Sequence, residues 1–211
     1  MNQFIRNDQY NFIKQQVQNL VKGHGTVNDS DVIVALESLV LERILKLFEE
    51  ITEEQKQLLV PVLNVEDKET AERFLSQVKK YVIPYPTVTE GSIKKIFPKV
   101  KKLNVPDLEE IDLARTSYLG WNDKGSNRKY LIVPTQNKLV GLWGAFRSIN
   151  KKGICTICHH DEEVGMFMSE AKSSSRDIHI KRGNYICVDS KKCNENITVL
   201  DKLHGFLGLF D

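Results

Sequence analysis

Four cysteines, all between residues 155 and 193, constrain this chain more than any other feature. Cys155 and Cys158 form C-x2-C in "KGICTICHHDEEVG", and Cys187 and Cys193 form C-x5-C in "NYICVDSKKCNENI". C-x2-C places two thiols on one tight turn, where both reach one ion. Zinc takes four soft ligands in a tetrahedron, at about 2.3 Å from each sulfur. The wider second pair suits one ligand at a strand end and one at the start of the turn or helix that follows. Between the pairs there is room for a β-hairpin: "EVGMFMSEA" out, "SSSRD" at the tip, "IHIKRGNYIC" back. A knuckle, a hairpin and a last ligand near a helix start make a treble-clef-like zinc finger. Four cysteines close the shell, which marks one structural Zn2+, since a catalytic zinc keeps a position open for water. The alternatives are a reduced set of buried thiols and a redox pair. The redox pair would need a thioredoxin-like βαβ setting, whereas this pattern is a hairpin.

The compartment supports metal over disulfides. The start, "MNQFIRNDQYNFIKQQ", has no basic n-region followed by an apolar run and a small-residue cleavage site. The most apolar stretch, "DVIVALESLVLERILKLF", is interrupted by Glu37, Glu42 and Arg43 and falls short of a membrane span. A cytoplasmic protein without membrane contact is expected, and there thiols stay reduced. With a formal net charge of +2, the chain is not a strongly basic nucleic-acid binder, though a local basic patch is compatible with it.

The fold class expected is α+β, in two domains. Residues 1–83 read as an N-terminal helical bundle. Tyr10, Ile13, Val17, Leu20 and Val21 recur at helical spacing after Asp8 as N-cap. A second helix follows Asp29–Asp31, its stripe formed by Val32, Leu36, Leu39, Val40, Leu47 and Phe48. A third begins at Thr52 in a capping pattern, and Pro61 is expected to end or kink it. A fourth turns Ala71, Phe74, Leu75 and Val78 inward. "IPYPT" (83–87) cannot sit inside a helix and marks the boundary. Residues 84–211 read as a C-terminal α/β domain whose zinc finger occupies about 150–211. A short basic helix, "TEGSIKKIFPKV", comes first. "TSYLGW", "RKYLIVP" and "KLVGLWGAF" then read as strands of an antiparallel meander. The chain closes with a helix carrying Val199, Leu203, Phe206, Leu207 and Phe210 on one face.

His159 and His160 beside "DEE", and His179 in the hairpin, raise a nuclease-type centre as a third reading. The plainer reading is a solvated, charged turn. No P-loop and no G-x-G-x-x-G occurs, so an enzyme is not expected. Trp121 and Trp143 suit the core better than a base-stacking surface. "SNRKY" reads as a nucleic-acid contact or as a turn entering a strand, and "KVKK" (99–102) as a solvated face or a ribosomal contact.

"YLGWNDKGSNRKYLIV", followed by "KGICTIC", "KRGNYICVDSKKC" and a terminal helix, resembles the elongation-factor-G-binding proteins, the FusB-type fusidic-acid-resistance family. The likeness extends to the opening "DQYNFIK" and to "PKVKKLNVP". The resemblance implies an N-terminal helical bundle and a C-terminal domain with a treble-clef-like zinc finger. It also implies binding to elongation factor G, mainly through the C-terminal domain. Fusidic acid traps that translational GTPase on the ribosome after GTP hydrolysis. The family promotes its release without modifying the drug. The family's contact surface maps onto Ile154, where the family carries an aromatic residue, onto Arg182, where it carries lysine, and onto Tyr185 and Phe206. Tyr185, Arg182 and Phe206 are expected to form one exposed patch beside the zinc, bordered by a basic edge of Lys151, Lys152, Lys181 and Arg182. Core packing is the alternative for Ile154 and Phe206, and a solvated turn the alternative for Arg182. A monomer is expected, with direct RNA contact secondary. The competing function is a zinc-stabilised RNA- or ribosome-binding module without a drug-resistance role.

Overall fold

Capping decides where the first helices begin. In the computed structural model, which describes residues 1–136, 138–171 and 180–210, α1 runs Asn7–Thr26. Asp8 lies inside it. The N-cap is Arg6, whose backbone N–H donates to Gln9 Oε1 at 2.9 Å. The Arg6 guanidinium donates to both Asp8 carboxylate oxygens at 3.0 Å. Asp8 therefore works as a buried ion-pair partner in the first turn, where a carboxylate also suits the helix dipole. α2 (Ser30–Leu45) is capped by Asp29. α3 (Glu53–Leu59) starts from the Thr52–Gln55 capping box and passes into a 3-10 turn, Val60–Asn64, at Pro61. α4 (Lys68–Lys79) follows and buries Ala71, Phe74 and Val78.

The stripe read for α2 is only partly the one that packs. Val40 and Ile44 are buried, whereas Val32 and Leu39 are exposed. The helix ends at Leu45, so Leu47 and Phe48 leave its phase, and the Phe48 ring packs on Phe4 at 5.4 Å. Helix α1 comes close to α2 at Gly23, where a Cβ would lie 2.4 Å from Leu36 Cδ2. The two ends of this unit, Met1–Ile83, are stitched together. Ile5 and Val82 form a parallel bridge, and the Ile83 N–H donates to Ile5 O at 2.8 Å.

The second unit, Pro84–Asp211, contains α5 (Glu90–Ile96) and a five-stranded antiparallel meander. The strands are β1 (Leu119–Asp123), β2 (Arg128–Pro134), β3 (Leu139–Ile154), β4 (Asp161–Ala171) and β5 (Ile180–Cys187), in that order across the sheet. The hairpin after the first cysteine pair thus continues the meander as β4 and β5. Its tip at 173–177, with His179, lies outside the described residues. The C-terminus holds two helices where one was expected: α6 (Ser190–Asn196) and α7 (Asp201–Gly208). The break between them leaves Val199 exposed, while Leu203, Phe206, Leu207 and Phe210 are buried. No described helix is long and apolar enough to cross a membrane.

Strand β2 is buried from Lys129 through Val133, so both sheet faces are covered there. Alternation sends Tyr130 and Ile132 to one core, with Trp121, Ile93 and Phe97. Leu131 and Val133 go to the other, which holds the four cysteines, Phe167, Ile186 and α7. Trp121 stacks on Tyr130 at 5.0 Å, and its indole N–H donates to Asn104 O at 2.8 Å. Asp123 organises the β1–β2 turn by accepting from Gly125 N–H and the Ser126 hydroxyl. That turn brings Asn127 to a φ of 51°. Gly144 allows β3 to cross close to β4, since a Cβ there would lie 2.3 Å from Met168 O.

One buried amide ties α6 to the sheet. Asn194 Oδ1 accepts from the backbone N–H groups of Ser117 and Tyr118 at 2.7 and 3.0 Å. Its Nδ2 donates to Tyr118 O and Ser190 O, both at 2.9 Å. Removing that side chain takes partners from buried backbone groups, each worth about 1–3 kcal/mol when left unmet. Asn194→Ala is therefore expected to destabilise the zinc-loaded protein by about 3 kcal/mol, read from denaturant unfolding followed by tryptophan fluorescence. A loss smaller than that of an exposed control such as Lys202→Ala would contradict this role.

Candidate metal centre

The long strand β3 ends at Ile154 and delivers Cys155 directly into the C-x2-C turn. Cys155 O accepts from His159 N–H at 2.9 Å, and Cys155 N–H donates to His160 O at 3.1 Å, which closes the knuckle. The turn requires a φ of 57° at His159, a left-handed conformation costly for a residue with a Cβ. Cys187 is the last residue of β5, and Cys193 sits on α6, whose N-cap is Asp189. Strand end, knuckle and short helix thus converge.

The four Sγ atoms lie within 4.8 Å of one another, and all four residues are buried. Cys155 and Cys193 sulfurs are 3.9 Å apart, and those of Cys158 and Cys187 are 3.6 Å apart. A tetrahedron with 2.3 Å arms has edges of about 3.8 Å. None of the four is in a disulfide. Backbone N–H groups of Ile157 and Cys187 point at the Cys155 sulfur, both at 3.4 Å, as they do where a thiolate must be stabilised. Thiol donation from Cys158, then from Cys187 and Cys193, holds the Cys155 pKa far below its ordinary value. Hydrogen bonding to Cys155 holds the Cys187 and Cys193 thiols protonated, which pushes both pKa values up. A divalent cation lets all four sulfurs ionise together, and the donor set and spacing fit zinc.

Three neighbours were not picked out for this site by reading the sequence. Lys129 on β2 is 0% exposed, and its Nζ donates to Asn122 Oδ1 and Val188 O, both at 3.0 Å. Burial pushes its pKa down to about 8, against the opposing pull of Cys193 and Cys187. The Tyr118 hydroxyl is buried in the same cluster, and burial, reinforced by Cys193, pushes its pKa well up. Asn194, adjacent to Cys193, is the clasp described above. A cation inside an apolar strand carries no periodic signal; "SNRKY" reads as a nucleic-acid contact or as a turn entering a strand, and the structure has the turn, with β2 starting at Arg128. In the structure Lys129 is internal, and the Arg128 guanidinium lies 4.5 Å over the half-buried Trp143 ring.

The expected contact residues separate. Ile154 is 60% exposed and Tyr185 44% exposed. Thr156 N–H, two residues after Ile154, donates to Tyr185 O at 2.9 Å, which pins the knuckle to β5. Met166 pairs with Tyr185 across the ladder, and the exposed Met168 pairs with Gly183. Phe206 does not join them. It is 2% exposed and packs against Phe167 and Phe210 at 5.7 and 5.3 Å. Arg182 is exposed, yet its guanidinium donates to Leu209 O at 2.7 Å, at the end of α7. Arg182 and Tyr185 lie three positions apart, and on a strand an odd spacing sends side chains to opposite faces. The single patch of Tyr185, Arg182 and Phe206 is therefore corrected. The basic edge divides too: Lys152 pairs with Glu163 and Lys181 with Glu170, seven residues apart on β4, or about 23 Å.

The histidines beside the knuckle are structural. His160 Nδ1 lies 2.9 Å from Cys158 O, and Glu162 accepts from Asn196 at 3.0 Å and pairs with Lys192 at 3.4 Å. Among the described residues, the four cysteines are the only group of three or more His, Cys, Asp or Glu placed to share an ion.

Two family models match the chain. Residues 4–86 match "Elongation factor G-binding protein, N-terminal", and residues 95–205 match "FBP C-terminal treble-clef zinc-finger". Among solved structures the chain is similar to that of the fusidic acid resistance protein FusC, at 31% sequence identity and a TM-score of 0.85, covering 99% of this chain and 98% of that one. No curated protein sequence matches it closely enough to count as a relative. The treble-clef family and the buried cysteine cluster together show one structural zinc.

Elemental analysis of protein purified without chelator should find one zinc per chain. Cys193→Ser should lose it and unfold the second unit's core, seen as a red shift of tryptophan emission, because metal binding supplies much of a zinc module's folding energy. A metal-free wild type with native emission would refute this.

Proposed function

This chain belongs to the elongation factor G-binding protein family, and we propose that it binds that translational GTPase and promotes its release from ribosomes stalled by fusidic acid. The observation that carries the reading is the exposure of Ile154, which directly precedes the zinc knuckle, and of Tyr185, whose carbonyl pins it. Large apolar side chains held in the open by a rigid metal turn lose little entropy on docking. Met166 and Met168 extend the surface with adaptable apolar area. Arg182 braces α7 from the opposite face, and Phe206 supports the module from inside. The action is non-enzymatic: four thiolates close the metal's shell and leave no position for water. A binder shifts an equilibrium only through differential affinity for two states. Release therefore requires preference for a factor conformation that sits less firmly on the ribosome. The protein acts as a monomer in the cytoplasm, where its partner works.

The second unit, Pro84–Asp211, is proposed to fold alone and to carry most of the affinity. A fragment starting at Pro84 should bind elongation factor G nearly as tightly as the full chain; a folded fragment that is silent would assign the binding to the helical unit.

Loss of an aromatic anchor at an interface costs about 2 kcal/mol, roughly thirtyfold in affinity. Tyr185→Ala should weaken binding by that order with zinc content unchanged, and Ile154→Phe should hold or improve it. Phe206→Ala is expected instead to lower stability, by about 3–5 kcal/mol. Titration calorimetry with purified factor, paired with translation rescue under fusidic acid, measures these. Tyr185→Ala binding at wild-type strength would sink the surface.

A further inference from the structure

We infer that Lys129 is the internal counter-charge of the zinc centre, a buried ammonium placed to offset the negative charge of the metal with its four thiolates. The inference stands whichever partner the module binds.

Zinc with four thiolates carries a net charge of about −2. Here that charge sits among sulfurs that are almost wholly shielded from water. An uncompensated charge in such surroundings is costly. Lys129 presents the same difficulty with the opposite sign. Its side chain is fully buried, yet its contacts are neutral: the Asn122 amide oxygen, the Val188 carbonyl and the Phe146 ring at 5.0 Å. Among the described residues no carboxylate forms an ion pair with it; Asp189 acts on it only at longer range, after Cys193 and Cys187. Either charge alone would be a liability, and together they offset each other.

The placement is specific. Strand alternation puts Lys129 on the same face of β2 as Leu131 and Val133, the face that packs against the cysteines. Val188, which receives its hydrogen bond, directly follows Cys187. The Val188 N–H donates to Glu163 O at 2.9 Å, so this acceptor is itself held in register. Asn122 Nδ2 also donates to Val188 O, at 2.9 Å. The ammonium is thus tethered to the backbone that carries one ligand to the other. The thiolates' pull on its pKa, against burial, is consistent with that proximity.

Charge and hydrogen bonding are separable by substitution in the full-length protein. Lys129→Gln keeps donors for Asn122 and Val188 and removes the charge; Lys129→Arg keeps the charge. Zinc affinity is measured by competition with a chromogenic chelator, and fold by circular dichroism. Lys129→Gln should bind zinc about 10–100-fold more weakly, and Lys129→Arg close to wild type. Cys158→His lowers the negative charge of the ligand set by one, so the Lys129→Gln penalty should shrink in that background. Folding of Lys129→Arg with zinc, where Lys129→Gln does not fold, also supports the counter-charge. Equal zinc affinity for the Gln and Arg variants, or an equal Gln penalty in both backgrounds, overturns it. So does failure of both variants to fold at saturating zinc, which would make the role one of shape.

Discussion

The convergence of four sulfurs on one point organises the second unit. The β3–β4–β5 ladder brings the ends of β3 and β5 together, and at that point the sulfurs of Cys155, Cys158, Cys187 and Cys193 lie within 4.8 Å of one another. An ion shared by all four ties the C-x2-C turn and helix α6 to those strand ends. Other features follow from it. The turn tolerates a left-handed His159. Helix α6, only seven residues long, is too short to be stable by itself, and is anchored by Cys193 and by the Asn194 clasp. Lys129 is retained inside an otherwise apolar strand.

A rigid centre has a consequence for recognition. The residues beside it, Ile154 and Tyr185, are apolar and exposed, an arrangement that would usually destabilise a monomer and that suits a docking surface. Their backbone is fixed by the same turn that holds the metal. The aromatic cluster of Phe167, Phe206 and Phe210 shares one core with the four cysteines and gives the strands a firm backing. Metal and rings thus stabilise the module from a single interior.

The first unit depends on different physics. Its helices hold by side-chain caps and an apolar interior: Arg6 with Gln9, Asp29, the Thr52–Gln55 box, and Asp67 with Thr70. Local rules of this kind are legible in a sequence, and the helices were found nearly where those rules put them. The stripe of α2 was less legible, because Val32 and Leu39 are as apolar as Val40 and Ile44. The approach of α1 at Gly23, together with α3 and the Val60–Asn64 turn packed on α2, selects which side is covered.

The chain by itself pointed to the clustered cysteines, the change from helix to strand after about Ser117, and the meander, since each follows from spacing within a few residues. The likeness carried by "GWND", "SNRKY" and the cysteine motifs pointed to the family as well. Tertiary structure alone decided which side chains share a face. Tyr185, Arg182 and Phe206 look like one group because they bracket Cys187 and Cys193. An odd strand spacing turns Arg182 to α7, and the Phe167 and Phe210 rings enclose Phe206. It alone also placed Lys129, since a buried cation is stable only beside charges that arrive from distant parts of the chain, and no local pattern encodes a compensation that forms after folding.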